Sequence, residues 1–92
     1  MITLKNGVLS VEISERGAEM QSISVNGEER LWNGDSAFWT GRAPVLFPIC
    51  GGLPDDRFTY RDKEYVLKKH GFAKNMVFEV EKASEHTAVF VL

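Results

Sequence analysis

Residues 43–53 read APVLFPICGGL, and residues 68–75 read KKHGFAKN. The first stretch places two prolines, two glycines and a Val-Leu-Phe run in eleven positions, a composition that breaks helices and interior strands. The second places a histidine, His70, between two lysines and a glycine. Ordered apolar loops and polar side chains at glycine bends often carry function, so these two segments indicate where a site would lie.

The sequence around the two segments predicts short antiparallel strands joined in hairpins. Apolar and polar residues alternate with a period of two, and the turn dipeptides Asn6-Gly7 and Asn26-Gly27 separate the first runs. No segment keeps a helical period for ten residues, so the predicted fold class is all-β. The predicted strands are residues 3–4, 8–13, 19–25, 28–32, 57–60, 64–67, 76–82 and 87–92.

The segment between residues 32 and 56 is irregular but apolar. It contains four of the eight glycines and all three prolines, together with two tryptophans and two phenylalanines. We expect it to pack as a buried connection whose path the glycines determine, because an apolar loop is poorly solvated. Cys50, the single cysteine, is expected to be a small buried hydrophobe rather than a nucleophile.

Composition excludes several classes of protein. The chain has 92 residues, 43% of them hydrophobic and 26% charged, with a net charge of −2, as is typical of one small globular domain. A nucleic-acid partner is not expected without a basic face, and no apolar run approaches the ~20 residues that span a bilayer. One cysteine permits no internal disulfide, which favours a cytoplasmic protein. One cysteine and two distant histidines do not make a four-ligand zinc site, so no metal is expected.

The two opening segments, separated by a hairpin, resemble the aldose 1-epimerase family of galactose mutarotase-like proteins. The first 32 residues fit the first hairpins of that family as well. The resemblance implies a β-sandwich two to three times as long as this chain, of which residues 1–92 form a single partial domain at the N-terminal end. It also implies interconversion of the α and β anomers of an aldose, with no cofactor required.

In the family a glutamate takes the proton of the anomeric hydroxyl while a histidine protonates the ring oxygen, and both come later in the sequence than residue 92. The resemblance therefore implies no catalytic residue in this chain, which alone is expected to be inactive. His70 matches an earlier histidine beside the sugar, and Arg42 lies near a substrate-contacting arginine. Lys74 stands where related proteins carry arginine, and it keeps the charge but loses the forked donors.

Other interpretations of these residues stay open. His70 could be a surface turn residue; as a ligand, its ring would be kept neutral by the flanking lysines. Arg42 could instead pair with a carboxylate, either Asp35 or Asp56. Trp39 or Phe72 could stack on a sugar, although such rings more often belong to a core.

Two further polar segments are predicted to be solvated turns. His86 follows Ser-Glu in a polar turn, and Asp55-Asp56 are adjacent residues that would point to opposite faces of a strand. Neither is expected to take part in catalysis.

Three functions compete on this basis. The first is the carbohydrate-binding part of an aldose 1-epimerase acting on a hexose or a hexose 6-phosphate. The second is a non-catalytic β-sandwich module that binds sugar, and the third is an interaction domain that self-associates through residues 87–92. Because that last segment is apolar and strand-like, it needs a pairing partner, which favours the first function.

Overall fold

The computed structural model describes residues 1–92 and contains eight β-strands and no α-helix. All strand pairs are antiparallel, which confirms the predicted fold class of antiparallel hairpins. Two 3₁₀ turns are its only helical elements, and neither could span a bilayer. The strands are β1 Ile2–Lys5, β2 Leu9–Ile13, β3 Met20–Val25, β4 Glu28–Glu29, β5 Arg57–Tyr60, β6 Lys63–Val66, β7 Glu79–Ala83 and β8 Ala88–Val91.

Strands β1 to β4 form one sheet in the order of the sequence. The β1–β2 turn is held by the Asn6 side chain, whose Oδ1 accepts hydrogen bonds from the amides of Val8 at 3.1 Å and Leu9 at 2.7 Å. Asn and Gly therefore act at this turn as the sequence predicts, since Asx side chains bond the backbone two or three residues on.

The return strand predicted over residues 28–32 is wrong in length, because β4 stops after Glu29. The Glu29 carboxylate accepts hydrogen bonds from the amides of Arg30 at 3.1 Å and Leu31 at 3.3 Å. It also accepts one from the amide of Ile23 on β3, at 2.9 Å. The chain thus folds around this side chain instead of extending the ladder.

Strands β5–β6 and β7–β8 form two separate hairpins. Strand β6 starts one residue before its predicted position because Arg61 and Asp62, both with positive φ, make a tight two-residue turn. Strand β7 starts three residues later than predicted, at Glu79. The chain before it makes a 3₁₀ turn over Ala73–Asn75 and is then paired with residues 15–17, in the connection between β2 and β3.

The chain forms a thin plate with extents of 53 × 34 × 15 Å. Its Cα radius of gyration is 16.1 Å, against about 12 Å for a compact chain of this length. Only three residues are buried, and none is a large hydrophobe: Gly17, Gly71 and Ala73. All three lie where connecting segments cross rather than on the strands.

The prediction that the segment between residues 32 and 56 is buried is wrong for this chain. Phe38, Trp39 and Phe47 are 81%, 52% and 54% exposed, and Cys50, expected inside, is exposed as well. The physical reason is thickness, since a plate of 15 Å leaves no second layer under which the segment could pack.

Candidate functional site

Hydrogen bonds join the segments at residues 43–53 and 68–75. The carbonyl oxygen of Phe47 accepts from the amides of Phe72 at 3.0 Å and Ala73 at 3.2 Å, and Phe47 forms a parallel bridge with Gly71. Gly71 has φ +72°, and a Cβ built on it would overlap the Phe47 carbonyl. A glycine is therefore required here both by conformation and by space.

His70 is clamped to Gly51 by two reciprocal hydrogen bonds. The backbone amide of His70 donates to the Gly51 carbonyl at 2.8 Å, and the Gly51 amide donates to Nδ1 of the imidazole at 2.9 Å. His70 has φ +64°, an uncommon conformation for a residue with a side chain. The ring is half-buried, and its position is set by the loop that follows Cys50.

The segment after His70 is fixed from the other side by the connection between β2 and β3. The Gly17 amide donates to the carbonyl of Met76 at 2.7 Å, and a Cβ on Gly17 would lie 2.7 Å from the carbonyl oxygen of Lys74. The backbone of Lys74 can approach this closely only because Gly17 has no side chain. No sequence pattern signals this contact, because the two residues are 57 positions apart.

A cleft of about 760 Å³ opens beside the contact between Gly17 and residues 74–76. His70 and Lys74 both line it, so the structure brings two of the three predicted site residues together. Besides the imidazole, the cleft is lined by three cationic side chains and one carboxylate. Its wall therefore carries excess positive charge. The lining residues are Arg16, Glu19, Trp39, Thr40, Gly41, Pro44, Leu46, Lys69, His70, Lys74 and Asn75.

The third predicted site residue, Arg42, lies outside the cleft lining. Its guanidinium Nη1 donates to the carbonyl of Gln21 at 2.7 Å. It forms no ion pair with Asp35 or Asp56, the alternative partners considered from the sequence. Arg42 thus connects β3 to its own loop. Gly41, the residue before it in that loop, lines the cleft.

Glu19 is a site residue that the sequence did not reveal. Its Oε1 accepts hydrogen bonds from the amides of Arg42 at 2.7 Å and Ala43 at 2.9 Å, and the carboxylate is partly buried at the edge of the cleft. A carboxylate that accepts two backbone amides makes charge-assisted bonds. No periodic signal could have identified it, because its partners are 23 and 24 residues away.

The two candidate stacking rings have different environments. Trp39 lines the cleft, and its ring lies so close to Gly41 that a Cβ there would be 2.6 Å from the indole. Phe72 instead packs edge-on against Phe47, with 6.2 Å between ring centroids. Only Trp39 is therefore placed to offer a flat apolar face to a molecule in this cleft.

The remaining titratable candidates lie elsewhere. Asp55 and Asp56 are exposed in a 3₁₀ turn, and His86 is exposed between β7 and β8. The pKa of Glu15 is lowered chiefly by its hydrogen bond with the N-terminal ammonium, and the pKa of Glu29 is lowered chiefly by the Ser22 hydroxyl. Neither carboxyl lines the cleft.

Comparison with known proteins identifies relatives along the whole chain. A sequence profile of the family described as aldose 1-epimerase matches residues 1–92. The chain is 38% identical over 95 residues to the plasmid-encoded Protein LacX of Lactococcus lactis subsp. lactis, which covers 97% of this chain and 32% of LacX. It therefore spans about a third of the length of this curated relative.

Two solved structures have the same fold over nearly all of the chain. A galactose mutarotase related enzyme from Lactobacillus acidophilus is 43% identical, with a TM-score of 0.95 over 98% of this chain and 31% of its own. A galactose mutarotase-like protein from Lactobacillus casei is 38% identical, with a TM-score of 0.93 and the same two coverages. With its complete length matched by the family profile, the chain belongs to the aldose 1-epimerase family.

Proposed function

We propose that the complete protein is a mutarotase that interconverts the α and β anomers of a hexose or hexose phosphate, and that residues 1–92 supply one wall of its sugar site. The observation that carries this proposal is the shared cleft of His70 and Lys74, with Trp39 on the same wall. An imidazole, a cation and an indole face are the groups that a pyranose needs for hydrogen bonding and stacking.

In this proposal each binding residue has a distinct task. His70 donates a hydrogen bond to a sugar oxygen, and Lys74 contacts hydroxyl or phosphate oxygens as a point charge. Arg42 acts on the substrate through its loop, because its guanidinium holds Gln21 and its backbone amide is bonded to Glu19. Arg42 is thus a positioning residue rather than a group that touches the sugar.

The reacting pair lies outside residues 1–92 in this proposal. Mutarotation needs a base at the anomeric hydroxyl and an acid at the ring oxygen, held on opposite sides of one ring. The one wall described here bears the single carboxylate Glu19, already engaged by two backbone amides. It is suited to holding the sugar, and the opposite wall would carry the proton transfers, with no cofactor.

The proposal also assigns residues 1–92 to one layer of a larger β-sandwich. The chain exposes 6780 Å², whereas a folded monomer of its 10.4 kDa mass exposes about 5,400 Å². The excess of about 1,400 Å² on this one side exceeds the ~800 Å² per partner of a standard interface and matches the larger, obligate kind. The remaining two thirds of the length found in the relatives would cover this area and close the cleft.

The excess positive charge of the cleft favours a phosphorylated hexose. Arg16, Lys69 and Lys74 line it against one carboxylate, Glu19. A phosphate would gain from three cations, whereas a neutral hexose would use only the imidazole and the indole. Such a substrate, like the single free cysteine, fits a cytoplasmic location.

Polarimetry of the complete gene product tests the proposal. We expect accelerated mutarotation of glucose, galactose or their 6-phosphates, and a fall of about tenfold in kcat/KM for His70→Ala from the loss of one substrate hydrogen bond. His86→Ala, at an exposed turn, should leave the rate unchanged. A complete protein that binds sugar without turnover would instead establish the non-catalytic module.

The exposed area also favours a second candidate, a domain that self-associates. The two possibilities differ in what covers the plate, which is either the rest of the same chain or another copy. Sedimentation of the complete protein separates them, since a monomer that binds sugar excludes self-association as the way the site is completed.

A further inference from the structure

Nδ1 of His70 is occupied as a hydrogen-bond acceptor. The donor is the backbone amide of Gly51, at 2.9 Å, and a backbone amide cannot reverse its role. In a neutral imidazole one ring nitrogen carries the proton and the other accepts, so acceptance at Nδ1 places the ring proton on Nε2.

Nε2 has no hydrogen-bond partner within the protein, and it is not a buried unpaired atom. His70, which carries it, is a lining residue of the large cleft, while Gly51 is not. The one free polar atom of the imidazole is therefore an N–H group available to a molecule in the cleft.

We propose that His70 is a specificity-determining residue whose ring the Gly51 amide fixes as an obligate donor. It selects ligands that present an acceptor oxygen to Nε2, and it cannot take a proton from a ligand at that atom. This role deepens the proposed function and rests on it, because the ligand in question is the sugar of the same cleft.

The backbone around His70 supports this assignment. The second bond of the clamp, from the His70 amide to the Gly51 carbonyl at 2.8 Å, holds the main chain beside the ring. His70 keeps φ +64°, and the turn that contains it is closed by the Gly71 amide, which donates to the Lys68 carbonyl at 2.9 Å. Strained conformations of this kind persist where several contacts fix them, as is frequent at ligand sites.

The tautomer is testable without any ligand. Nitrogen-15 NMR of the complete gene product, at about pH 8 where an ordinary imidazole is neutral, should show His70 protonated at Nε2 only. It should also show a scalar coupling across the hydrogen bond between the Gly51 amide nitrogen and Nδ1. His86, which makes no side-chain hydrogen bond and is exposed, serves as the internal control that samples both tautomers. A His70 ring that exchanges between tautomers as His86 does would overturn the inference.

Two isosteric variants then test the role in binding. His70→Gln can place an amide N–H near the position of Nε2, whereas His70→Asn can keep an acceptor near the Gly51 amide but reaches no further. We expect His70→Asn to weaken binding of the preferred hexose or hexose 6-phosphate by about fivefold relative to His70→Gln. Equal affinities, or a tighter Asn variant, would overturn the donor role.

The two measurements separate the inference from the proposed function. A fixed Nε2 tautomer together with no binding of any hexose contradicts the proposed function and, with it, the donor role toward sugar. Sugar binding with a mobile tautomer contradicts only the inference. Folding of both variants is checked by the amide spectrum of residues that lie away from the contact between His70 and Gly51.

Discussion

The carbonyl oxygen of Phe47 occupies the space that a Cβ on Gly71 would need. It is also the acceptor for two amides of the segment that follows, those of Phe72 and Ala73. One backbone oxygen therefore fixes the position of the His70 bend against the apolar loop.

Substitution of Gly71 by alanine should be strongly destabilising. The side chain would force the Phe47 carbonyl aside, break its two hydrogen bonds and strain a residue at φ +72°, for a combined loss of about 2–4 kcal/mol in the free energy of unfolding. Gly27→Ala is the matched control, because Gly27 has φ +81° but open space around a Cβ, and it should lose only about 1 kcal/mol. Denaturant unfolding measures both, and equal losses would show that the close approach contributes nothing.

Glu19→Ala should loosen the loop at the edge of the cleft. Two backbone amides, of Arg42 and Ala43, would lose a charged acceptor, at a cost of about 1.5–3 kcal/mol. Glu12→Ala removes an exposed carboxylate from β2 that makes no hydrogen bond, and it should be nearly neutral. Amide hydrogen exchange at Arg42 and Ala43 should accelerate in the first variant alone; unchanged protection there would contradict the assignment.

Ser22→Ala should raise the pKa of Glu29 toward its ordinary value. The Ser22 hydroxyl is the largest cause of the lowered pKa, ahead of the amides of Ile23, Leu31 and Arg30. Because the pKa is lower in the folded state, the carboxylate contributes stability above its unfolded pKa, and that contribution is lost as pH falls through the folded pKa. Ser22→Ala should therefore reduce the acid dependence of stability.

Carbon-13 NMR titration of the Glu29 carboxyl checks this effect directly. Ser24→Ala is the control, since Ser24 lies opposite Glu29 in the β3–β4 ladder without a side-chain bond to it. A titration of Glu29 that does not move in Ser22→Ala, or that moves equally in both variants, would assign the shift to the backbone amides instead.

Lys74→Arg should distinguish a phosphorylated substrate from a neutral one. A guanidinium offers two parallel donors to phosphate oxygens, so Kd for a hexose 6-phosphate should fall by about fivefold while Kd for the free hexose stays the same. Lys82→Arg, on exposed β7, should change neither value. Calorimetric titration of the complete protein measures both ligands, and an equal change for the two sugars would place the Lys74 side chain away from the phosphate.

The strands could be predicted from local alternation, and the turn at Asn6 from one dipeptide, because both depend on residues close in sequence. The wrapping of the chain around Glu29 could not, since glutamate at a strand end has no local preference that signals it. Glu19 likewise acts through amides more than twenty residues away. The prediction that His70 and Lys74 are binding residues depends on the family resemblance, because periodicity alone indicates only that their segment is a turn.

Burial was the least predictable property. Large side chains such as Phe38 and Trp39 predict a core by their hydrophobicity, yet they need a facing layer that these 92 residues do not provide. The residues that are buried have almost no side chain, and their burial depends on backbone crossings that leave no hydrophobic pattern.

The three least accessible positions carry a hydrogen, a hydrogen and a methyl group, at Gly17, Gly71 and Ala73. Mutation at these sites can scarcely remove atoms and therefore acts almost entirely by crowding, the reverse of the voids that truncation leaves in an oily interior. Saturation mutagenesis should consequently find that these smallest residues tolerate the fewest substitutions. Second-site mutations that restore stability should lie in the neighbouring turns, where they shift the backbone, rather than at side chains of a different size.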